Sequence, residues 1–217
     1  MINELNNLLS SGVPPGVYAE VGLVNRLSQE CQAVELLDVG GMPLQRRNEF
    51  IAGRGLVRRG LASFGIPDCR IGRAEDGSPV WPPGVCGSIS HKRNLCAVVL
   101  SHTSAYHALG VDIEKDQNLS PTVWKYFVNP QERMQSINEA FDRIANLLFS
   151  CKEAAYKCLQ PQFTAPVPFE DILVHLTVKN IRSYQVRSSY QGIDLEGELY
   201  RWNDVVLVWM TLRKKIV

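Results

Sequence analysis

"LGVDIEK", residues 109–115, reads as a β-strand, because apolar and polar side chains alternate along it. Alternation turns Leu109, Val111 and Ile113 toward a core and sends Asp112 and Glu114 together to the opposite side, with Cα atoms about 7 Å apart. Paired carboxylates repel unless a proton or a hard cation such as Mg²⁺ lies between them. A half-exposed strand with a polar face has the same pattern, so this pair gains meaning only from what surrounds it.

"FSCKEAAYK", residues 149–157, closes a helical region placed over about 122–159, interrupted near Asn129-Pro130 because proline disfavours helix at the residue before it. Ile144, Leu147, Leu148, Cys151, Ala155, Cys158 and Leu159 share its apolar face. Glu153 and Lys157 point away from that face, and Lys152 flanks it. On an exposed helix, Glu153 and Lys157 would form an i,i+4 pair contributing about 0.2–0.5 kcal/mol. Across a cleft from Asp112 and Glu114, Glu153 would instead be a third oxygen ligand and the lysines phosphate cations.

A third charged group lies on an earlier helix, placed over 43–64, whose apolar stripe is Phe50, Val57, Leu61 and Phe64. Arg47, Arg54 and Arg58 fall close together by helical angle beside that stripe, either as a solvated basic face or as guanidinium forks for phosphate. A Gly/Pro-rich connector, "IGRAEDGSPVWPPGVCG", follows, and it favours turns. Ser90 and His91 are placed just ahead of the strand "LCAVVLS", and G-x-S-x-G fails there because His91 stands where glycine is needed. "DILVHLTV", "YQVRSS", "IDLEGELY" and "VVLVWMTL" predict antiparallel strands with a final turn at 201–204.

The 217 residues suit one large domain or two joined halves, and 23 basic against 22 acidic residues argue against a polyanionic partner such as nucleic acid. Six cysteines without a C-x-x-C pair read as reduced thiols of a cytoplasmic protein. No signal peptide or membrane span is expected, since the longest apolar runs are strand-sized.

In order, "RRNEFIAGRGLVRRGL", "GSPVWPPGVCGSISH", "GVDIE" and "FSCKEAAYK" resemble the Sfp-type 4′-phosphopantetheinyl transferases, most closely the siderophore-synthetase-associated bacterial branch, over about residues 45–160. The resemblance implies an α+β fold of two similar α/β halves, 1–105 and 106–217, related by a pseudo-twofold axis, with coenzyme A in the cleft between them. It implies transfer of phosphopantetheine from coenzyme A to a serine of an apo acyl or peptidyl carrier protein, with Mg²⁺, releasing 3′,5′-ADP. Asp112, Glu114 and Glu153 would hold the metal, with Asp112 also facing the cofactor. Glu153 would be the base, and Lys157 would assist the leaving group. Arg46 or Arg47, Arg54, Arg73, Ser90 and His91 would hold the adenosine 3′-phosphate and its surroundings, and Lys152 and Lys157 would lie near the phosphates.

Two positions depart from the family pattern. Asp76 stands where a basic residue often precedes the G-x-P turn, which leaves Arg73 as the cation there, and Val57 replaces an alanine. The segment 124–143 is the expected carrier contact, through Lys125, Arg133 and Arg143 with Phe127 or Met134. A monomer is expected. The carboxylates alone would also permit another Mg²⁺-dependent phosphoryl or nucleotidyl transferase, and the arginines alone a non-catalytic coenzyme A-binding module.

Overall fold

The computed structural model describes residues 2–30, 39–67, 69–135, 137 and 139–213. The chain divides into two compact units, Met1–Ala105 and Tyr106–Val217. Both are α+β, each with a long helix laid on an antiparallel sheet.

The first unit runs α1 (Ile2–Gly12), β1 (Val17–Leu23), α2 (Val24–Leu27), α3 (Leu44–Ser63), β2 (Gly72–Arg73), β3 (Pro79–Val80), β4 (Val85–Lys92) and β5 (Leu95–His102). Its main sheet has the order β1-β5-β4. Helix α3 lies on it through Ala52, Leu56, Val57 and Leu61, which pack with Cys96, Val98 and Leu100 of β5. Contact is close because of Gly60: a Cβ there would come within 2.5 Å of Leu100 and 2.7 Å of Tyr18. Phe50 and Phe64, placed on the buried stripe by periodicity, are only half-buried.

His91 precedes the strand "LCAVVLS" as expected, and it also lies inside a strand of its own, β4, which pairs with β5 from Val85↔His102 to Lys92↔Leu95. The strand went unseen because Gly84 and Gly87 punctuate it, and Gly84 does turn the chain, with φ 81°. Helix α1 and strand β1 were also unforeseen.

The second unit contains β6 (Tyr106–Lys115), α4 (Pro121–Trp124), a 3-10 turn at Pro130–Met134, α5 (Phe141–Leu159), β7 (Leu173–Asn180), β8 (Ser183–Tyr190), β9 (Ile193–Trp202) and β10 (Val205–Arg213). The order β6-β10-β9-β8-β7 places β10 inside the sheet, paired to both β6 and β9. The helical region expected over 122–159 is thus two separate helices and a turn. Proline opens α4 and the turn, and Asn129 with Glu132 forms a capping box that fixes the turn's start.

Helix α5 buries the predicted face: Ile144, Leu147, Leu148, Cys151, Ala155, Cys158 and Leu159. Gly110 lets it approach β6, since a Cβ there would sit 1.9 Å from the Ala154 carbonyl oxygen. This reverses one expectation about the opening strand. Leu109, Val111 and Ile113 are buried as expected, but the face bearing Gly110 and Asp112 is the one α5 covers, so Asp112 is buried too.

Cys69, Cys86, Cys96, Cys151 and Cys158 are free thiols, and Cys31 lies outside the described residues. Among the described residues no helix is long and apolar enough to cross a membrane.

Candidate functional site

In the second unit the close seating of α5 on β6 brings Lys157 and Ser150 onto Asp112. Lys157 Nζ donates to the Val111 carbonyl at 2.9 Å and to Asp112 Oδ1 at 3.0 Å. Ser150 Oγ donates to Asp112 Oδ2 at 2.7 Å. Lys157 therefore pairs with the strand carboxylate across the helix–sheet contact, and its partner is not the helical neighbour Glu153 that the i,i+4 spacing suggested. Glu114 Oε1 accepts from the Lys115 amide at 2.8 Å.

Glu153 makes no side-chain hydrogen bond or ion pair among the described residues. Its carboxyl is pushed above the ordinary carboxylate range mainly by burial; Lys157 pulls it down, and the charges of Asp112 and Glu114 push it further up. Three carboxylates thus act on one another with one lysine to compensate. An all-oxygen, net-negative donor set of this kind fits a hard divalent cation. Among the described residues no three such side chains are already gathered at metal-binding distance. Asp112 and Glu114 are turned to protein donors.

Lys152 is placed differently from the expectation. Its side chain is 0% exposed and forms an ion pair with Glu132 at 3.0 Å. It also donates to the carbonyls of Phe127 at 2.7 Å and Phe169 at 3.0 Å. An ammonium has three N–H donors and all three are used. Lys152 therefore has no N–H left for the phosphate contact expected of it. A helical angle of about 80° from the stripe described a flank, but the segments around Phe127 and Phe169 cover that flank. Burial lowers the pKa of Lys152 and raises that of Glu132, with the partner's charge opposing in each case.

Glu132 also accepts from the amides of Asn129 and Val174, each at 2.8 Å. Gln135 accepts from the Leu176 amide at 2.7 Å and donates to the Val174 carbonyl at 2.8 Å. Together they satisfy the outer edge of β7, and they fix the 130–135 segment to the sheet. Phe127 is core, which corrects its assignment as a carrier contact. What remains outside is Tyr126 at 72% and Met134 at 82% exposure. Lys125 lies over the Tyr126 ring and Arg133 over Trp124. Arg143 is paired with Asp116 at 3.1 Å.

In the first unit a cavity of about 110 Å³ is lined by Arg46, Glu49, Phe50, Arg54, Ile89 and His91, together with Gly53, Gly77 and Pro79. A cavity of this size has room for a phosphoryl group. Arg46 donates to His91 Nε2. Arg54 is buried, stacks on Phe50 and donates to the Gly72 carbonyl at 3.1 Å. Arg73 lies against Gly77, where a Cβ would meet its guanidinium at 3.2 Å. Arg47 is exposed and does not line this cavity, so of the adjacent pair Arg46 is the one at the site. Ser90 alternates to the opposite face of β4 from His91, and the cavity brings in His91 without it. The arginines accordingly do not form one solvated face.

Sequence reasoning missed Glu49, Glu132 and Ser150. Glu132 had a readable signal, because Asn-x-x-Glu is a capping-box spacing. Glu49 sits one turn after Arg46, and Ser150 carried no signal.

An α+β chain with an arginine- and histidine-lined cavity in one unit and interacting carboxylates in the other has the parts of a protein that handles phosphate esters. A family model described as the 4′-phosphopantetheinyl transferase N-terminal domain matches residues 38–101, and one described as the 4′-phosphopantetheinyl transferase superfamily matches residues 108–207. The chain belongs to the 4′-phosphopantetheinyl transferase superfamily.

Among curated proteins it is 34% identical to the 4′-phosphopantetheinyl transferase Npt of Nocardia iowensis over 135 residues, 61% of this chain and 60% of that one. It is 33% identical to the 4′-phosphopantetheinyl transferase PptT of Mycobacterium tuberculosis, covering 61% of this chain and 59% of that one. Enterobactin synthase component D of Salmonella typhi is 31% identical over 56% of this chain and 52% of its own length. The chain spans about half to three-fifths of the length of these relatives.

Proposed function

We propose that this chain is a 4′-phosphopantetheinyl transferase that moves the phosphopantetheine arm of coenzyme A to a serine of an apo acyl or peptidyl carrier protein and releases 3′,5′-ADP. The observation that carries this reading is the contact of Lys157 with Asp112 where α5 meets β6, with Glu153 under the charges of Asp112 and Glu114. Membership of the superfamily and the relatives named above support it.

In this reading Asp112, Glu114 and Glu153 would hold Mg²⁺, which when bound supplies neutralising charge to the pyrophosphate oxygens. Lys157, fixed by Val111 and Asp112, presents a cation where negative charge develops on the leaving phosphate. Glu153 takes the proton of the attacking serine. Its raised basicity suits that role, because a carboxylate with a higher pKa accepts a proton more readily. The first unit takes the adenosine 3′-phosphate through Arg46, Arg54, Arg73 and His91. The finer arrangement implied by the family, two similar halves about a pseudo-twofold axis with coenzyme A in the cleft between them, belongs to the same proposal, as do a monomeric state and a cytoplasmic location.

The test is direct. Incubation with coenzyme A, Mg²⁺ and an apo carrier protein is expected to raise the carrier's mass by one phosphopantetheine group. No mass change with any of several carrier types, siderophore, polyketide and fatty-acid carriers included, would refute the transferase reading.

Met134, Tyr126 and Arg133 form a partly apolar, partly cationic surface, which suits a carrier that is acidic around its modified serine. Arg133→Glu combined with Met134→Ser is expected to raise the KM for carrier about tenfold. The KM for coenzyme A should not change; if both rise together, the segment has another role.

A further inference from the structure

The anion cavity of the first unit contains an acid that neither the resemblance nor the arginine pattern explains. Glu49 is buried on α3 with one oxygen 3.3 Å from His91 Nδ1 and 3.6 Å from Arg46 Nη1. Its other oxygen accepts from Gln45 Nε2 at 3.1 Å. A carboxylate in a phosphate site weakens phosphate binding on charge alone, so its presence calls for a compensating role.

The contacts around His91 supply one. A guanidinium can only donate, so His91 Nε2 accepts from Arg46; the Glu49 carboxylate, 3.3 Å from Nδ1, is a charge contact that favours a proton on that nitrogen. The cavity therefore favours the tautomer protonated at Nδ1. When a phosphate enters, Arg46 is drawn to it, and the Nε2 lone pair would face an anion. That contact becomes favourable only when Nε2 is protonated, and the imidazolium then lies between the phosphate and Glu49.

We propose that Glu49 is a positioning residue: it fixes the His91 ring so that Nε2 alone faces the cavity, and it supports the imidazolium that forms as His91 takes up a proton with the incoming phosphate. The inference rests on the reading of this cavity as the 3′-phosphate site. The other groups around His91 do not supply the same role. Helix α3 contributes Arg46 and Arg54, which repel a cation, and β2 contributes Arg73, which lies against Gly77. Across the strand pair stands Cys96, whose thiol burial pushes up to about 12, so it is neutral. Lys92 follows His91 on β4 and is again a cation.

Calorimetric titration of the full chain with 3′,5′-ADP, in buffers of different ionisation enthalpy, measures both affinity and protons exchanged. At pH 7.5 the wild type is expected to take up protons on binding, because an adjacent phosphate favours the imidazolium. His91→Gln is expected to abolish that uptake. Glu49→Gln keeps an acceptor for Nδ1–H but removes the charge, and should loosen binding about tenfold at pH 8 and little at pH 6.

Four results would overturn the proposal. Tighter binding by Glu49→Gln would make Glu49 a mere opposing charge, and an equal loss at both pH values would make its role one of folding only. Uptake that persists in His91→Gln would assign the proton elsewhere. Failure of the wild type to bind 3′,5′-ADP, or equal binding and uptake with 5′-AMP, would remove the 3′-phosphate reading itself, and the inference with it.

Discussion

Glu153→Gln is expected to lower carrier modification by at least about a hundredfold while raising the melting temperature of the metal-free protein by about 1–3 °C. The two effects have one cause. Glu153 is partly desolvated and is repelled by Asp112 and Glu114, with Lys157 as the opposing charge. Its folded-state pKa is raised above the unfolded value of 4.5, so whatever stability it contributes is present below that value and is lost as pH rises through the folded pKa. The wild type and the variant should therefore melt alike near pH 4 and diverge toward neutrality, the variant higher. Millimolar Mg²⁺ should raise the wild-type melting temperature and leave the variant unmoved. A variant that is inactive and also less stable at pH 7.5 would show that Glu153 is structural instead.

Lys152→Met separates two roles for the other lysine of the same helix. If Lys152 bound phosphate, its loss would raise the KM for coenzyme A and leave the fold intact. The ion pair with Glu132 predicts the reverse: an uncompensated buried carboxylate, a loss of about 3–5 kcal/mol, and a melting temperature lowered by more than about 6 °C. Pairing it with Glu132→Leu removes the orphaned charge and should recover a large part of that loss, although the amides of Asn129 and Val174 then lose their acceptor. A Lys152→Met protein that melts as the wild type does, yet binds coenzyme A poorly, would restore the phosphate role.

How far the fold was legible can be traced through particular residues. Period alone found α3, α5 and the four strands from Leu173 to Arg213, because their apolar patterns are long and the turns between strands carry Gln191-Gly192 and Asn203-Asp204, with positive φ at Gln191, Gly192 and Asn203. It missed β4, where glycine and small polar residues conceal a strand that exists through its pairing with β5. It placed a helical region over 122–159 with a break near Asn129-Pro130, where the structure has two separate helices and a turn. The capping box at Asn129 involves a glutamate whose partners, Lys152 and Val174, are distant in sequence.

The candidate site was legible in its residue types and only partly in its geometry. Asp112 with Lys157 could be anticipated from charge, yet their contact depends on Gly110 admitting the Ala154 carbonyl, which no helical wheel encodes. The exchange of Lys152 from ligand to core had the same origin. A wheel gives the direction of a side chain but not what other segments place over it.

The position of β10 has a consequence for how the site comes into being on the ribosome. Asp112 sits on a strand whose ladder partner is Val208, made far later in the chain. At about 5–20 residues per second, several seconds pass between their syntheses. Until β10 emerges, the edge of β6 is without the neighbour that completes it, and the long separation makes this pairing a slow, late event of folding. The strand that carries Asp112 gains its ladder neighbour only when the strand at Val205–Arg213 is inserted.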